Sequence, residues 1–549
     1  MTFYAIMILA MLLTLLLIPP LMRFASTIGA VDTPNERKVH ARVTPRIGGI
    51  AIVLGALVPM SIWLPFDRQY LALLLSALVI LAFGVWDDRK DISYRYKFLG
   101  QTIASLIVIF LGDISITYAP LMDGQALAPW VSVLLTLFCL LAVTNALNLA
   151  DGLDGLAGGT TLLSFGLIAV LALNVEAADL LILTMAVIGG VLGFLRFNSH
   201  PASVFMGDTG SQFLGFILGV ELILLTQNAD IALSKASPVL ILGLPLLDTL
   251  CVMGRRISKG RSPFAPDKQH IHHRLLALGF SHYETVVILY LIQAVFIISA
   301  FFTAYSSDWL PIGLFLLYML IIHRLFSYAE SRGLQFSAPG FVRQLVSRQW
   351  IRVHTLVHNW PLDKYLPHYL FLLSVFLMVH LCLGINEMSA DISLLAAMLA
   401  LMFLLVALRK TANEWLDRLT TYTFSALLCY LAYVNDPGPM YWYLTEWVLV
   451  VLGGVWVFVA IMMQKYERFE TTPLDILLVL LALLIPYFAG SAIELDHLPL
   501  QVVKYLVLLY LFEYAITRGL YRQLRLFPFT LAFGAAVISL VWLLAAPLV

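Results

Sequence analysis

The chain has 549 residues, of which 61% are hydrophobic and 12% charged, with a mean hydropathy of +0.91 and no formal net charge. A soluble domain is about one quarter charged, so an ordinary soluble globular protein is excluded, and the balanced charge gives no bulk argument for a nucleic-acid partner. Apolar runs of roughly 20 residues recur along the whole chain, the length one helix needs to cross a bilayer, and the short alternating segments of a barrel are not seen. The fold class is therefore all-α polytopic membrane protein.

In chain order, hydropathy predicts eleven helices near 3–20, 47–65, 69–86, 98–112, 129–148, 158–174, 178–195, 211–226, 237–254, 284–304 and 309–323. Seven more follow near 368–386, 391–408, 417–434, 441–463, 473–490, 498–517 and 526–545. The first run has no basic residue before it and no small-residue cleavage site after it, so it reads as the first spanning helix. Cys139, Cys251, Cys382 and Cys429 lie in or beside apolar runs without metal-ligand spacing and read as small core residues. The chain divides into 1–325, a membrane domain; 326–367, a basic linker; and 368–549, a second membrane domain of unassigned role. Within the linker, Val342, Leu345, Val346, Trp350, Val353, Leu356, Val357 and Trp360 recur at helical spacing, with Arg343, Arg348 and Arg352 off the stripe. Such a helix lies in the membrane interface or packs on the protein's own loops.

Lysine and arginine fix an orientation. The odd-to-even connections carry Arg23, Arg37, Lys38, Arg42, Arg46, Arg89, Lys90, Arg95, Lys97, Arg196, Arg255, Arg256, Lys259, Arg261, Lys268 and Arg274, whereas the others offer Arg68 and Lys235. The odd-to-even loops are expected to be cytoplasmic and the N-terminus outside.

The residues with chemistry fall on that same side. Asp87 and Asp88 end the third helix in "GVWDDRKD". Adjacent carboxylates at a helix C-terminus repel each other and the dipole, which suits a proton acceptor or a divalent-cation ligand; the alternative is an ordinary water-facing helix end. In "NLADGLDGLAGG", Asp151 and Asp154 are three apart, so a helical turn would put both on one side, and the glycines let a ligand approach closely; a pair of helix caps is the alternative. Asp208, in "VFMGDTGS", is either a cap or a ligand. Asp and Asn oxygens without nearby Cys favour Mg2+ or Mn2+, whose shells are completed by water and phosphate oxygens, so a phosphorylated substrate is implied. His270, His272 and His273 stand beside Lys268 and Arg274, with Arg256 upstream, and suggest a clamp for a pyrophosphate. Together these loops argue for a membrane enzyme that joins a polar substrate to a lipid. A transporter or flippase would instead place ionisable groups in mid-helix.

The segments "VDTPNERKVHARVTPRIGGIAI", "DDRKDISYRYKFLGQ", "NALNLADGLDGLAGG", "FNSHPASVFMGDTGS" and "RSPFAPDKQHIHHRL", in this order, resemble the polyprenyl-phosphate N-acetylhexosamine-1-phosphate transferases. The resemblance covers about residues 1–325 and is nearest to the bacterial undecaprenyl-phosphate N-acetylglucosamine-1-phosphate transferases, because the histidines run His-x-His-His. It implies a Mg2+-dependent enzyme of the bacterial inner membrane that takes UDP-HexNAc and undecaprenyl phosphate, releases UMP and starts a cell-envelope glycan. It further implies catalytic roles for Asp87, Asp88, Asp151, Asp154 and His272, with Asp208 and Asn148 on the metal. Substrate contacts are implied for Lys97, Asn148, Asn198, Arg256, His270 and His273. Homodimers are common in the family. Its members usually end soon after the eleventh helix, whereas this chain continues for about 225 residues, in which Glu414, Asp417, Glu467 and Glu470 read as solvated loop charges.

Overall fold

A computed structural model describes residues 2–32, 43–122, 124–227, 233–258, 260, 270–336 and scattered positions between 400 and 484. Nearly all belong to one compact unit made of Thr2–Pro339 and Thr472–Ala492; Gly340–Thr471 and Ile493–Val549 form a second. The expected linker helix, and with it Arg343, Arg348 and Arg352, lies outside the described residues, as do Arg37, Lys38, Arg42, Lys259, Arg261 and Lys268. The helices expected beyond residue 368 also lie outside them, apart from isolated helical positions within 391–408 and 473–490.

The described chain is almost entirely helical: α1 (Thr2–Ile28), α2 (Gly48–Trp63), α3 (Arg68–Lys90), α4 (Tyr94–Phe110), α5 (Pro129–Ala150), α6 (Leu156–Asn174), α7 (Ala178–Asn198), α8 (Gly207–Thr226), α9 (Ser237–Ile241), α10 (Gly243–Ser258), α11 (Ile271–Ala277), α12 (His282–Thr303) and α13 (Trp309–Ser331). Eight of these are long and apolar enough to cross a membrane. They meet the expectation of an all-α polytopic membrane fold. Hydropathy did not foresee the two-residue strands β1 (Val31–Asp32) and β2 (Thr44–Pro45), which pair antiparallel between α1 and α2, nor the short α11.

The centre of the bundle is α8, almost wholly buried and packed by α2, α3, α5 and α6; α7 joins α1, α2 and α6. Glycines allow these contacts. A Cβ on Gly189 of α7 would lie 2.1 Å from the Met7 carbonyl of α1, so only a bare backbone fits there. This is the small-residue packing that membrane helices use where water gives them no hydrophobic drive. Polar groups also meet inside the bundle: Thr184 Oγ1 on α7 donates to Glu221 Oε2 on α8 at 2.8 Å.

The ninth expected helix, 237–254, is broken into α9 and α10 at Leu242. The cause is local. Pro245 has no N–H to give to the carbonyl of Ile241, four residues earlier. That carbonyl instead accepts from Ser164 Oγ at 2.9 Å and Gln293 Nε2 at 3.0 Å, while Gln293 Oε1 accepts from the Leu244 N–H at 2.9 Å. A broken helix in an apolar setting survives only if its freed groups find such partners.

Candidate active site

The α1–α2, α3–α4, α5–α6 and α7–α8 connections gather at one end of the bundle with the start of α11. Arg46 binds Asp32 at 2.5 Å and Asp91 at 3.1 Å, tying the α1–α2 connection to the end of α3. Asp87 and Asp88, in the last turn of α3, are only 1% and 5% exposed, so the water-facing reading does not hold. Their partners differ. Asp88 reaches the start of α8, where its Oδ1 accepts from the Asp208 N–H at 2.8 Å and its Oδ2 from the Thr209 N–H at 3.1 Å and the Thr209 hydroxyl at 2.6 Å. It thus serves as the cap that Met206, at the N-cap position of α8, does not provide, and a negative group there also suits the helix dipole. Gly207 leaves the space: its φ is 71°, and a Cβ on it would lie 2.5 Å from Asp88 Oδ1.

Asp87 accepts from the Ile92 N–H at 2.9 Å through Oδ1 and turns Oδ2 toward the ammonium of Lys97 on α4. The same ammonium donates to Asp208 Oδ2 at 2.7 Å. One cation therefore bridges carboxylates from α3 and α8. Lys97 and Asp208 keep 26% and 27% of their side-chain exposure, so this cluster is open to a substrate while Asp88 is sealed beneath it. One turn deeper lies a neutral layer on α4, α5 and α8. Asn145 Nδ2 donates to Gln101 Oε1 at 2.7 Å, and Gln101 Nε2 donates to Gln212 Oε1 at 3.1 Å. Residues four apart share a helix face, so Gln101 lies under Lys97 and Gln212 under Asp208. Asn148 Oδ1 accepts from Ser211 Oγ at 2.7 Å and, as a carbonyl oxygen, keeps a second lone pair.

Asp151 ends α5, and no helical turn forms between it and Asp154, because the chain turns through Gly152 and Gly155, whose φ is 80°. The pair is therefore not displayed on one helical face as the spacing suggested. Burial pushes the Asp151 carboxyl up to about 7, and the nearby Asp208, Asp88 and Asp154 add to the shift. Asp154 behaves oppositely. Burial opposes its ionisation, but His200 Nδ1 at 2.7 Å and the Ala202 N–H at 3.1 Å hold it below the usual carboxylate range. Asn198, at the end of α7, accepts from the Gly155 N–H and donates to the Val204 carbonyl, each at 2.9 Å, so its amide stitches two loops together.

His270 precedes α11. Its Nδ1 meets Asp248 Oδ2 at 2.8 Å, and Asp248 Oδ1 accepts from the Ile271 N–H at 2.8 Å. His272 packs on the turn after α5: a Cβ on Gly152 would lie 2.4 Å from its Nε2. Burial, with the neighbouring His273, pulls the His272 imidazole down to about 3, so it is neutral at physiological pH. It offers a hydrogen bond, not the positive charge that a cationic clamp implied. The His273 ring stands 4.2 Å from that of His272, and Arg256 is buried near the end of α10.

Sequence reasoning missed Asp248, His200, His282, Thr209, Gln101 and Gln212. Asp248 left a signal, being an acid inside the apolar run "LILGLPLLDTL". Thr209, Gln101 and Gln212 are ordinary polar residues whose roles appear only through their partners.

Residues 70–226 match the sequence profile of glycosyl transferase family 4. A probable undecaprenyl-phosphate N-acetylglucosaminyl 1-phosphate transferase of Bacillus subtilis is 39% identical over 314 residues, which is 57% of this chain and 87% of that relative. A decaprenyl-phosphate N-acetylglucosaminephosphotransferase of Mycobacterium tuberculosis is 38% identical over 303 residues, 50% of this chain and 75% of the relative. An undecaprenyl-phosphate alpha-N-acetylglucosaminyl 1-phosphate transferase of Escherichia coli is 33% identical over 311 residues, 54% of this chain and 83% of the relative. The chain is a multi-pass membrane protein that belongs to glycosyl transferase family 4.

Proposed function

We propose that this protein transfers N-acetylglucosamine 1-phosphate from UDP-N-acetylglucosamine to undecaprenyl phosphate, releasing UMP and starting a cell-envelope glycan. The reaction takes place at the cytoplasmic face of the bacterial inner membrane, with the N-terminus outside, as the lysine and arginine distribution favours. Relatives 33–39% identical, all named as transferases of this kind to a polyprenyl phosphate, support the reading. The observation that carries it is the cluster of Lys97, Asp87 and Asp208, drawn from three helices and open to solvent through Lys97 and Asp208.

Both reactants are anions, so the site must lower their repulsion and align them. Lys97 supplies a cation held between two of these carboxylates. The oxygen-rich surroundings fit a magnesium ion: Asp87 and Asp208 carry more negative charge than Lys97 balances. Asp208, with the free lone pair of Asn148, would hold the ion; when bound, it neutralises the pyrophosphate and polarises it. Asp88 is committed to α8, so it positions Asp208. Of the aspartate pair, Asp87 is the one placed to accept a proton from the lipid phosphate. The lipid phosphate oxygen attacks the β-phosphorus of the UDP-sugar, a P–O bond forms there, the P–O bond to the UMP oxygen breaks, and UMP leaves with the electron pair. His272, neutral and packed on the turn that carries Asp151, would offer a hydrogen bond to substrate. Asn198 and Asp154 hold the loops around this centre.

Purified full-length protein, undecaprenyl phosphate and radiolabelled UDP-N-acetylglucosamine test the reading. Label should enter an organic-extractable lipid with release of UMP, require magnesium, stop with a chelator, and fall sharply in Asp208→Ala. A panel including UDP-GalNAc fixes the sugar. Lipid labelling absent from an otherwise folded protein would overturn the proposal.

A further inference from the structure

Beside the phosphate-handling cluster stands a second group with different chemistry, and nothing in the proposed reaction uses its histidines. Asp154 comes from the turn after α5, His200 from the α7–α8 loop, and His282 from the first turn of α12. One donor atom from each of the three lies within 4.8 Å of the other two. We propose that Asp154, His200 and His282 form a binding site for a transition-metal dication of the zinc class, separate from the oxygen-donor cluster around Asp208.

The donor set selects the ion. Two imidazoles and one carboxylate suit Zn2+ or Co2+, whereas Mg2+ takes oxygen ligands. Three protein ligands also leave the open fourth position of a non-structural zinc site. His282 is the telling member: both of its ring nitrogens are buried and make no hydrogen bond. Burying a polar group without a partner is unfavourable, and native proteins rarely leave one so. Coordination through one nitrogen removes half of that deficit. The His200 and His282 rings already lie together, stacked with centroids 4.0 Å apart and planes 19° apart. Asp154 is steadied by the Ala202 N–H at 3.1 Å, the outer hydrogen bond that metal-binding carboxylates generally have.

The site's position gives it a role. The turn that carries Asp154 also carries Asp151 and the Gly152 surface on which His272 packs, and the loop that carries His200 leads into Gly207 and Asp208. An ion held by all three ligands staples these loops and α12 together, fixing the spacing between Asp151 and Asp208. This holds whether or not the transferred sugar is N-acetylglucosamine, because it concerns the loops and not the donor.

The test uses full-length protein in detergent, stripped with a chelator and titrated with Zn2+ against a chromophoric competitor, then with Co2+ alone. Wild type should bind one equivalent more than His200→Gln or His282→Gln, with affinity at that site falling at least roughly 100-fold in each variant, the upper end of what losing a mere outer partner costs. Co2+ should give visible d–d bands in wild type that both variants lack, and Zn2+ should raise the melting temperature of wild type only. If a variant fails to fold, chemical modification of histidines in wild type, read by mass spectrometry, gives the same answer: Zn2+ should protect His200 and His282. No specific binding by wild type, identical binding by the variants, or no protection of these two histidines would each overturn the site.

Discussion

Gly207→Ala isolates the contact on which the active-site geometry rests. An added Cβ would lie 2.5 Å from Asp88 Oδ1 and 2.6 Å from Oδ2, below the 3.0 Å that real Cβ atoms essentially never breach. The carboxylate must therefore withdraw by at least about 0.5 Å, and its bonds of 2.6, 2.8 and 3.1 Å to Thr209 and Asp208 lengthen together. Hydrogen bonds to a charged group contribute ~1.5–3 kcal/mol each, so losing the equivalent of one or two disorders the start of α8 by about 3 kcal/mol. If Asp208 must be in place for transfer, that is roughly a hundredfold in rate. The substitution carries a second cost, because φ is 71° and a left-handed conformation disfavours alanine by ~1–2 kcal/mol. Gly124→Ala separates the two effects. Gly124 has φ of 76° and nothing within 4 Å of an added Cβ, so it bears the backbone cost without the clash. Initial rates of lipid labelling and thermal unfolding should show both variants destabilised by a similar backbone increment, with transfer collapsing only in Gly207→Ala. Equal activity in the two would refute the idea that Asp88 holds Asp208 in position.

Lys97→Met leaves the Asp87 and Asp208 carboxylates facing one another without their bridging cation, so transfer should fall by ~10²–10³ while Lys97→Arg, which keeps the charge, recovers part of it; initial rates decide, and full activity in the methionine variant would count against the cluster. Asp248→Asn leaves either His270 or the Ile271 N–H without a carboxylate acceptor, which should lower kcat/KM by about tenfold or more, with a smaller loss of stability, since the change disturbs the orientation of the histidine segment. Asp151 has its carboxyl raised from 3.8 to about 7 in the folded protein, so the fold binds its proton more tightly than the unfolded chain does. That contribution to stability is full below 3.8 and is lost as pH rises through about 7; melting temperatures of wild type should decline across this window more steeply than those of Asp151→Asn, and parallel slopes would remove Asp151 as the cause.

Much of the fold was legible because a bilayer imposes one simple requirement, an apolar stretch of sufficient length, and composition records it directly. α5 and α7 coincide with runs predicted at 129–148 and 178–195. Hydropathy fails where the requirement is local. The run 237–254 is apolar on average, which hides the break at Leu242, although Gly243 and Pro245 stood in the sequence as signals. β1 and β2 span two residues each and α11 seven, too short for any periodicity to register.

The site was legible for a different reason. Its charged members interrupt apolar runs, and an ionisable group at the edge of a membrane helix has to be explained, so Asp87, Asp88, Asp151 and Asp208 announce themselves. Their division of labour does not, because it is a property of pairs. Asp87 and Asp88 are adjacent and chemically identical, yet one turns to Lys97 and the other to the backbone of α8, a distinction made by the close approach of Gly84 to Thr209 and by the missing side chain at Gly207. Gly152, which looked like room for a ligand, is room for His272, and Gly207 is room for Asp88. The neutral layer of Asn145, Gln101 and Gln212 follows the same logic: such amides are silent in a sequence, but one turn below a charged cluster in a low-dielectric bundle they satisfy one another and hold three helices in register under Lys97 and Asp208.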